Sequence, residues 1–410
     1  MKHLSSTESM GILLSRRSVI GAATASLGCS IMGKAMASGQ ISPTMSVSPP
    51  SVVSEPPRVW GNNAPLAYTP DPDVIALDPS FNDVIFGNAP LRQIWAGPQI
   101  WLEGPAWSTE GRFLLVNDVV GSKQYRFSPE ERTMAVFRPE SYHGNGNTFD
   151  REGRLLTCEH GLRRVIRWEH DGRCTVIADS FENKRLNSPN DIVVDNDGGV
   201  WFTDPPYGDG LWEGHPNAPI KGRPTDRHLL WNLDEEVAQE IGGQEGQQTH
   251  VFRIDPKTGK LDAVVAGGRF AGPNGLCFSP DRKTLYIASS DDKPVSGNNY
   301  GHRNIYAFNV TPDGLSEGRV FADMVLAGQK LMPDGIRADV MGNIWVGASG
   351  PLGLCGVFVY APSGKLIGRL RMPRSISNLT FGGPQRDRLF MCSGNAIFSL
   401  DVATQGCGLS

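Results

Sequence analysis

Short runs in which apolar and polar residues alternate recur along the chain, and tight turns separate them in pairs. Alternation with a period of two is typical of a strand with one buried face, and two such runs around a turn predict a β-hairpin. Six stretches share this pattern when they are aligned on their turns. They begin at Glu103, Asn145, Asn190, Asn274, Asp334 and Ser377.

Most of these hairpins are followed by a further alternating segment, for example "KQYRFSPEE", "HVFRIDPKTG" and "NIYAFNVTPDG". Such segments predict a third strand, and a fourth usually follows. Four strands repeated six times predict an all-β fold, a six-bladed β-propeller of four-stranded blades. The sixth unit ends after its third strand, and a propeller must close its ring to avoid unpaired strand edges. We therefore expect residues 90–97, "PLRQIWAG", to supply the outer strand of the last blade.

Composition agrees with this fold and excludes several classes of protein. The 48 glycines and 30 prolines favour short strands joined by turns. A net charge of −4 without a basic stripe argues against a nucleic-acid partner. The body of the chain has no apolar stretch of about 18 residues, so we expect no membrane span. None of the seven cysteines forms a CxxC pair, which disfavours a thiolate zinc site.

The N-terminal residues have a different character. Arg16 and Arg17 precede an apolar segment over residues 19–32, and a small-x-small pattern ends at Ala37. This arrangement resembles a twin-arginine export signal, which predicts residues 1–37 as a signal peptide and a periplasmic mature protein. The alternative is a disordered basic tail.

A lipoprotein anchor at Cys29 is disfavoured, because Ser26 stands where a leucine is expected. Residues 38–82 are rich in Pro, Ser and Asn without periodicity, which predicts an N-terminal arm before a propeller over residues 83–410.

A long insertion over about residues 206–250 interrupts the third unit. It contains Tyr207, Trp212 and Trp231, and aromatic rings suit the C–H face of a sugar. We therefore expect a lid or rim over the channel mouth, with a surface decoration as the alternative.

The residues that open the six hairpins should form a ring, because the inner strands of a propeller face one channel. Turn chemistry alone could explain the Asn and Asp members. It does not explain Glu103, whose carboxylate would face the same axis as Asp334. Two carboxylates with amide oxygens, and no His or Cys, predict a site for one divalent cation. Calcium fits best, magnesium or manganese fits less well, and zinc is less natural; a water-filled polar channel is the alternative.

Several motifs resemble the gluconolactonase family, which includes senescence marker protein 30 and luciferin-regenerating enzyme. They are "EGPAW", "SPNDIVVDNDGGVWFTDPPYG", "GPNGLCFSPDRKTLYIA" and "PDGIRADVMGNIWV", while "GRLLTCEHGLRRVIR" resembles the bacterial gluconolactonase branch. The resemblance implies a six-bladed propeller that hydrolyses a sugar lactone with one divalent cation at the channel mouth. The ligands that it implies are Glu103, Asn190, Asn274 and Asp334. Ser188 stands where animal relatives have a sugar-binding arginine, so substrate contacts must come from elsewhere.

The loops after the second strand of each hairpin should share the face of the channel mouth, and they are polar. They include Glu159-His160, Thr203-Asp204 and Ser290-Asp291. From the ring and these loops we predict substrate contacts by Asn145, Asn190, Glu159, His160 and Asp204. The resemblance implies Asp334 as the general base, with His160 or Asp204 as alternatives; a structural hydrogen bond would equally explain His160.

The expected function is metal-dependent hydrolysis of a small sugar lactone, with D-glucono-1,5-lactone as the first candidate. The same scaffold would also suit another lactone, an aryl ester or a phosphotriester, because fold alone does not determine chemistry. A non-enzymatic ligand-binding propeller is a further alternative. The chain contains no Gly-x-Ser-x-Gly elbow that would supply a serine nucleophile.

Overall fold

The computed structural model describes residues 49–65, 68–210, 249–265, 269–292, 300–311 and 314–408. In these ranges the chain is almost entirely β-strand, and its helical content is limited to the 3₁₀ turns Pro79–Asp83 and Tyr207–Gly210. None of the helical segments in these ranges has the length and apolar character needed to cross a bilayer.

Two strands precede the blades, namely β1 (Val74–Ala76) and β2 (Arg92–Ala96). Blade one comprises β3 (Leu102–Ser108), β4 (Phe113–Asp118), β5 (Lys123–Ser128) and β6 (Thr133–Arg138). Blade two comprises β7 (Gly144–Phe149), β8 (Leu155–Glu159), β9 (Arg164–Trp168) and β10 (Cys174–Ala178). A short hairpin of β11 (Ser180–Phe181) and β12 (Lys184–Arg185) follows.

Blade three comprises β13 (Ile192–Val194), β14 (Val200–Asp204), β15 (His250–Ile254) and β16 (Leu261–Val265). Blade four contains β17 (Pro273–Phe278), β18 (Thr284–Ser289), β19 (Ile305–Thr311), β20 (Gly314–Leu315) and β21 (Arg319–Ala322). A second short hairpin consists of β22 (Val325–Leu326) and β23 (Gln329–Lys330).

Blade five comprises β24 (Met332–Ala338), β25 (Ile344–Ser349), β26 (Gly356–Tyr360) and β27 (Leu366–Arg371). Blade six comprises β28 (Asn378–Gly382), β29 (Arg388–Ser393) and β30 (Ala396–Asp401), together with β2. The innermost strand of each blade packs against that of the next, and β28 packs against β3 to complete the circle. The predicted six-bladed, all-β propeller is confirmed.

The ring closes through a strand from the N-terminal side of the propeller. β2 pairs antiparallel with β30, with Arg92 opposite Ser399 and Ala96 opposite Ala396. The expectation for residues 90–97 is therefore confirmed. β1 adds a fifth strand to the outer edge of blade five by pairing with β27. Part of the N-terminal arm predicted over residues 38–82 thus forms a strand of a blade.

The turns of the hairpins explain why the repeat is visible in the sequence. In blade three the carboxylate of Asp195 accepts the backbone N–H of Gly199 at 2.7 Å and the indole N–H of Trp201 at 2.8 Å. In blade five the carboxylate of Asp339 accepts the indole N–H of Trp345 at 3.0 Å in the same way. An Asp at the start of the turn therefore fixes both the turn and a buried tryptophan on the second strand.

Aromatic rings fill the spaces between neighbouring blades. Trp345 on blade five meets Phe381 on blade six edge to face, with ring centroids 5.5 Å apart, and Trp201 meets Phe278 at the same distance. These rings are almost fully buried, so they bind each blade to the next through apolar contact. The rigid circle that results fixes the residues at the channel mouth.

Candidate active site

A cavity of about 280 Å³ lies where the inner strands begin. Five of the six ring residues predicted from the repeat line this cavity, and each comes from a different blade. They are Glu103, Asn145, Asn190, Asn274 and Asp334. The sixth, Ser377, is buried, and its hydroxyl donates a hydrogen bond to the carbonyl of Leu102 at 2.9 Å.

Bonds between neighbouring blades hold the ring residues in place. The backbone N–H of Gly146 in blade two donates to the carbonyl of Asn190 in blade three at 2.8 Å. The hydroxyl of Thr203 in blade three donates to the carbonyl of Asn274 in blade four at 2.8 Å. A Cβ at Gly146 would lie 2.3 Å from the Asn190 oxygen, so this close approach requires glycine. The Asn-Gly pattern in blade two therefore also allows close contact between the backbones of neighbouring blades.

The described lining of the cavity carries negative charge. Its carboxylates are Glu103, Asp291 and Asp334, and it includes neither Lys nor Arg. Burial, with a smaller contribution from nearby His143, lowers the pKa of His160 to about 3, so that imidazole is neutral at physiological pH. A negative, oxygen-rich surface of this kind attracts a hard cation rather than an anion.

Asn145 and His160 form a polar pair on the wall of the cavity. The Asn145 amide N–H donates to Nε2 of His160 at 3.2 Å, so the imidazole proton lies on Nδ1. Oδ1 of Asn145 and Nδ1 of His160 are both buried and have no hydrogen-bond partner among the described residues. Buried polar atoms normally have partners, so the pair offers one acceptor and one donor to the hydroxyl groups of a bound molecule.

Glu159, a predicted substrate contact, lies outside the lining. Its carboxylate is buried and forms salt bridges with Arg138 at 3.0 Å and with Arg164 at 2.6 Å. Both carboxylate oxygens therefore face guanidinium groups of blades one and two. Glu159 stabilises the packing behind the site instead of facing a ligand.

Asp204, the other acidic substrate contact predicted from the loops, also lies outside the lining. Its Oδ2 accepts the backbone N–H of Asn187 at 2.8 Å, and its Oδ1 is buried without a hydrogen-bond partner in the described part of the chain. Burial raises the pKa of Asp204 to about 7, although the Asn187 N–H and the charge of Arg163 oppose the shift. This carboxyl group is largely protonated below neutral pH.

A buried ion pair connects blade three to blade five. The guanidinium of Arg337 donates to the carboxylate of Asp191 at 2.9 and 3.3 Å, and both side chains are almost inaccessible. Burial alone would lower the pKa of Arg337, but the charge and hydrogen bonds of Asp191 raise it. Asp191 directly follows the ring residue Asn190, so the pair anchors the base of the ring.

Two titratable residues outside the predicted set of site residues also line the cavity, namely Tyr207 and Asp291. Asp291 lies in the loop Ser290-Asp291, which we predicted to face the channel mouth, but it is not among the predicted substrate contacts. Its neighbour Asp292 is exposed and pairs with His302 at 3.0 Å. Trp212 and Trp231, the other aromatic residues of the predicted lid, lie outside the described residues.

The fold and the cavity together define a six-bladed propeller with an acidic, amide-lined channel mouth. Residues 101–395 match the family described as SMP-30/Gluconolactonase/LRE-like region, and the chain belongs to this family. A gluconolactonase from Zymomonas mobilis is 27% identical over 347 residues, which cover 79% of this chain and 85% of the relative.

Solved structures agree with this assignment. A gluconolactonase from Xanthomonas campestris is 30% identical, with a TM-score of 0.64 over 84% of this chain and 99% of the other. A calcium-binding regucalcin from Agrobacterium tumefaciens is 17% identical and shares the fold, with a TM-score of 0.56 over 77% of this chain and 94% of the other. The chain is therefore a gluconolactonase-like enzyme, a hydrolase acting on carboxylic ester bonds.

Proposed function

We propose that the protein opens a small sugar lactone by hydrolysis, with D-glucono-1,5-lactone as the first substrate to test and gluconate as the product. The observation that carries this proposal is the set of carboxylate and amide side chains that five blades direct to one cavity. The similarity to gluconolactonases of Zymomonas mobilis and Xanthomonas campestris supports the choice of substrate.

The proposed cofactor is one divalent cation held by Glu103, Asn190, Asn274 and Asp334. Two carboxylates and two amides are the oxygen ligands that calcium prefers, and they also suit magnesium or manganese. Zinc usually takes nitrogen or sulfur ligands, which this set lacks. Calcium is therefore the first candidate, and the calcium-binding relative of the same fold supports it.

When bound, such a cation supplies Lewis-acid polarisation of the lactone carbonyl and stabilises negative charge on its oxygen. The protein's own side chains orient the substrate. Oδ1 of Asn145 accepts a hydrogen bond from one sugar hydroxyl and Nδ1–H of His160 donates to another, in agreement with the lack of a partner for these two buried atoms among the described residues. A cavity of about 280 Å³ lies at the small end of ligand pockets, which favours a single sugar ring.

The test combines metal analysis with pH-stat hydrolysis of D-glucono-1,5-lactone before chelation, after chelation and after adding back calcium, magnesium, manganese or zinc. We expect one tightly bound cation per chain, loss of turnover on chelation and recovery with calcium. Full turnover by metal-depleted protein would contradict the cation, and calcium binding without turnover would favour a binding propeller. Parallel assays with other lactones, an aryl ester and a fluorophosphate measure the substrate preference.

We also propose that residues 1–37, which lie outside the described residues, direct export to the periplasm. The test is the N-terminal sequence of the protein recovered from a periplasmic fraction, which should begin at Ser38. Replacement of Arg16 and Arg17 by lysine should keep the protein in the cytoplasm. Uncleaved protein in the cytoplasm of the wild type would contradict export.

A further inference from the structure

We propose that Asp291 is the general base of the hydrolysis and that Tyr207 positions its carboxylate. This inference rests on the proposed lactonase function and names the group that takes the proton from water. Neither residue belongs to the ring that the sequence repeat defines. Both line the cavity together with Asp334 and Asn274.

Tyr207 and Asp291 lie side by side against Gly272. A Cβ built at Gly272 would lie 2.3 Å from the Tyr207 hydroxyl oxygen, 3.0 Å from Cγ of Asp291 and 3.1 Å from its Cβ. The phenol and the carboxylate therefore share the space that a larger residue at position 272 would occupy. Tyr207 can limit the orientations that the Asp291 carboxylate adopts.

The residue before Asp291 fixes this loop to the ring. The amide N–H of Asn274 donates to the Ser290 hydroxyl at 2.9 Å, and that hydroxyl donates to the carbonyl of Pro333 at 2.5 Å. The backbone N–H of Ser290 donates to the carbonyl of Gly272 at 2.9 Å. The loop of Asp291 is thus bonded to Asn274 of blade four and to Pro333, which precedes Asp334 in blade five.

The other acidic groups near the cavity are less suited to accept the proton. Glu103 and Asp334 are assigned to the cation, which competes for the same lone pairs. Glu159 forms salt bridges with two arginines, and Asp204 lies outside the cavity lining. A pKa of about 3 makes His160 a weak base, so the third carboxylate of the lining remains.

The reaction balances without any further reagent. The Asp291 carboxylate takes a proton from water while the water oxygen forms a bond to the lactone carbonyl carbon. The tetrahedral species then collapses, and the bond between that carbon and the ring oxygen breaks. The proton passes from Asp291 to the departing ring oxygen, which yields the open hydroxy acid and restores the carboxylate.

The experiment compares Asp291→Ala with Asp292→Asn, a matched change at the adjacent, exposed carboxylate. Each full-length variant is assayed for kcat and KM on D-glucono-1,5-lactone, for calcium affinity by calorimetry, and for rescue by added formate. We expect Asp291→Ala to lose about 10²- to 10⁴-fold in kcat, to retain calcium affinity, and to regain turnover with formate. Asp292→Asn should match the wild type.

Two further variants test the geometry. Gly272→Ala places a methyl group against both side chains, whereas Gly87→Ala adds one that no atom of the described residues approaches within 4 Å. We expect Gly272→Ala and Tyr207→Phe to lower kcat with KM and calcium affinity unchanged, and Gly87→Ala to have no effect.

Wild-type kcat in Asp291→Ala, loss of calcium binding in that variant, or absence of formate rescue would each overturn the inference while leaving the lactonase proposal intact. A wild-type enzyme that opens no lactone would instead refute the proposed function itself.

Discussion

The carboxylates of the cavity lining and those of the layer directly behind it differ in their environment, although they look alike in the sequence. Glu103 and Asp334 face a cavity whose described lining includes no Lys or Arg. Asp191 and Glu159, which are one residue away from a ring or lining residue, are bound by arginines from other strands. An arginine partner thus accompanies the acidic residues that lie behind the cavity, except Asp204, whose carboxyl group accepts a backbone N–H instead.

The difference between the two groups of carboxylates has an energetic reason. A buried carboxylate is costly unless it is paired and hydrogen-bonded. The layer behind the cavity meets this cost with guanidinium groups within the protein. In the cavity, the proposed cation would offset this cost instead. Loss of a charge should therefore lower activity in the cavity and stability in the layer behind it.

The largest expected effect is on activity at the ring. Glu103→Gln and Asp334→Asn should each lower kcat/KM by about 10³-fold or more, because they remove charge that holds the proposed cation. Their unfolding free energy in the absence of metal should change little. The measurements are steady-state kinetics, calcium calorimetry and urea denaturation. Glu110→Gln, at the outer turn of the same blade-one hairpin, is the control, and wild-type turnover in both ring variants would refute the cation site.

In the layer behind the cavity, substitution should instead lower the free energy of unfolding. Arg337→Met leaves Asp191 buried without its partner and should lower the free energy of unfolding by about 3–5 kcal/mol. Arg388→Met removes a partly exposed pair with Asp401 and should cost about 1 kcal/mol or less. Urea denaturation measures both, and equal losses in the two variants would contradict the contrast between buried and exposed pairs.

Asp204 should make stability depend on pH. Its pKa is about 7 in the folded protein against 3.8 for the ordinary group, so the unfolded chain ionises first. The contribution of Asp204 to stability is therefore fully present below about pH 4 and is lost as the pH rises to 7, on the order of a few kcal/mol. Asp204→Asn should make the denaturation midpoint depend less on pH over this range. Parallel curves for wild type and variant would show that the carboxyl group ionises normally.

The smallest expected effect is at Ser377, the ring position that does not line the cavity. Ser377→Ala removes the hydroxyl that bonds to Leu102 between blades six and one, and should cost about 1 kcal/mol of stability. Lactone turnover should remain unchanged. A loss of turnover as large as that of Glu103→Gln would place Ser377 among the site residues.

The fold and most of the ring could be predicted because each blade repeats one local pattern. The alternating strands and the residue at the mouth recur at fixed offsets, and in three blades an Asp opens the turn, as Asp195 and Asp339 illustrate. The fates of Glu159 and Asp204 could not be predicted in this way. Their partners and burial depend on how adjacent strands and blades pack, and no spacing in the sequence records which arginine reaches which carboxylate.

Asp291 and strand β1 are two further features that the sequence pattern did not predict. The pattern places Asp291 in a loop at the channel mouth, but it does not show that Asp291 is partly buried while Asp292 is exposed. The bonds of Ser290 and the contact with Gly272 set Asp291 apart. β1 lies in a segment without alternation, and it forms because the outer edge of blade five offers unpaired backbone groups.

Blade six unites the strand made early in synthesis, β2, with three strands made last. On the ribosome, β2 has no strand to pair with until β30 has emerged, so a shorter nascent chain leaves β2 unpaired and the ring open. Because contacts between distant chain segments form slowly, we expect the docking of β2 on β30 to be a late step of folding. A circular permutant that begins after β2 and joins the old termini would turn this last encounter into a local one.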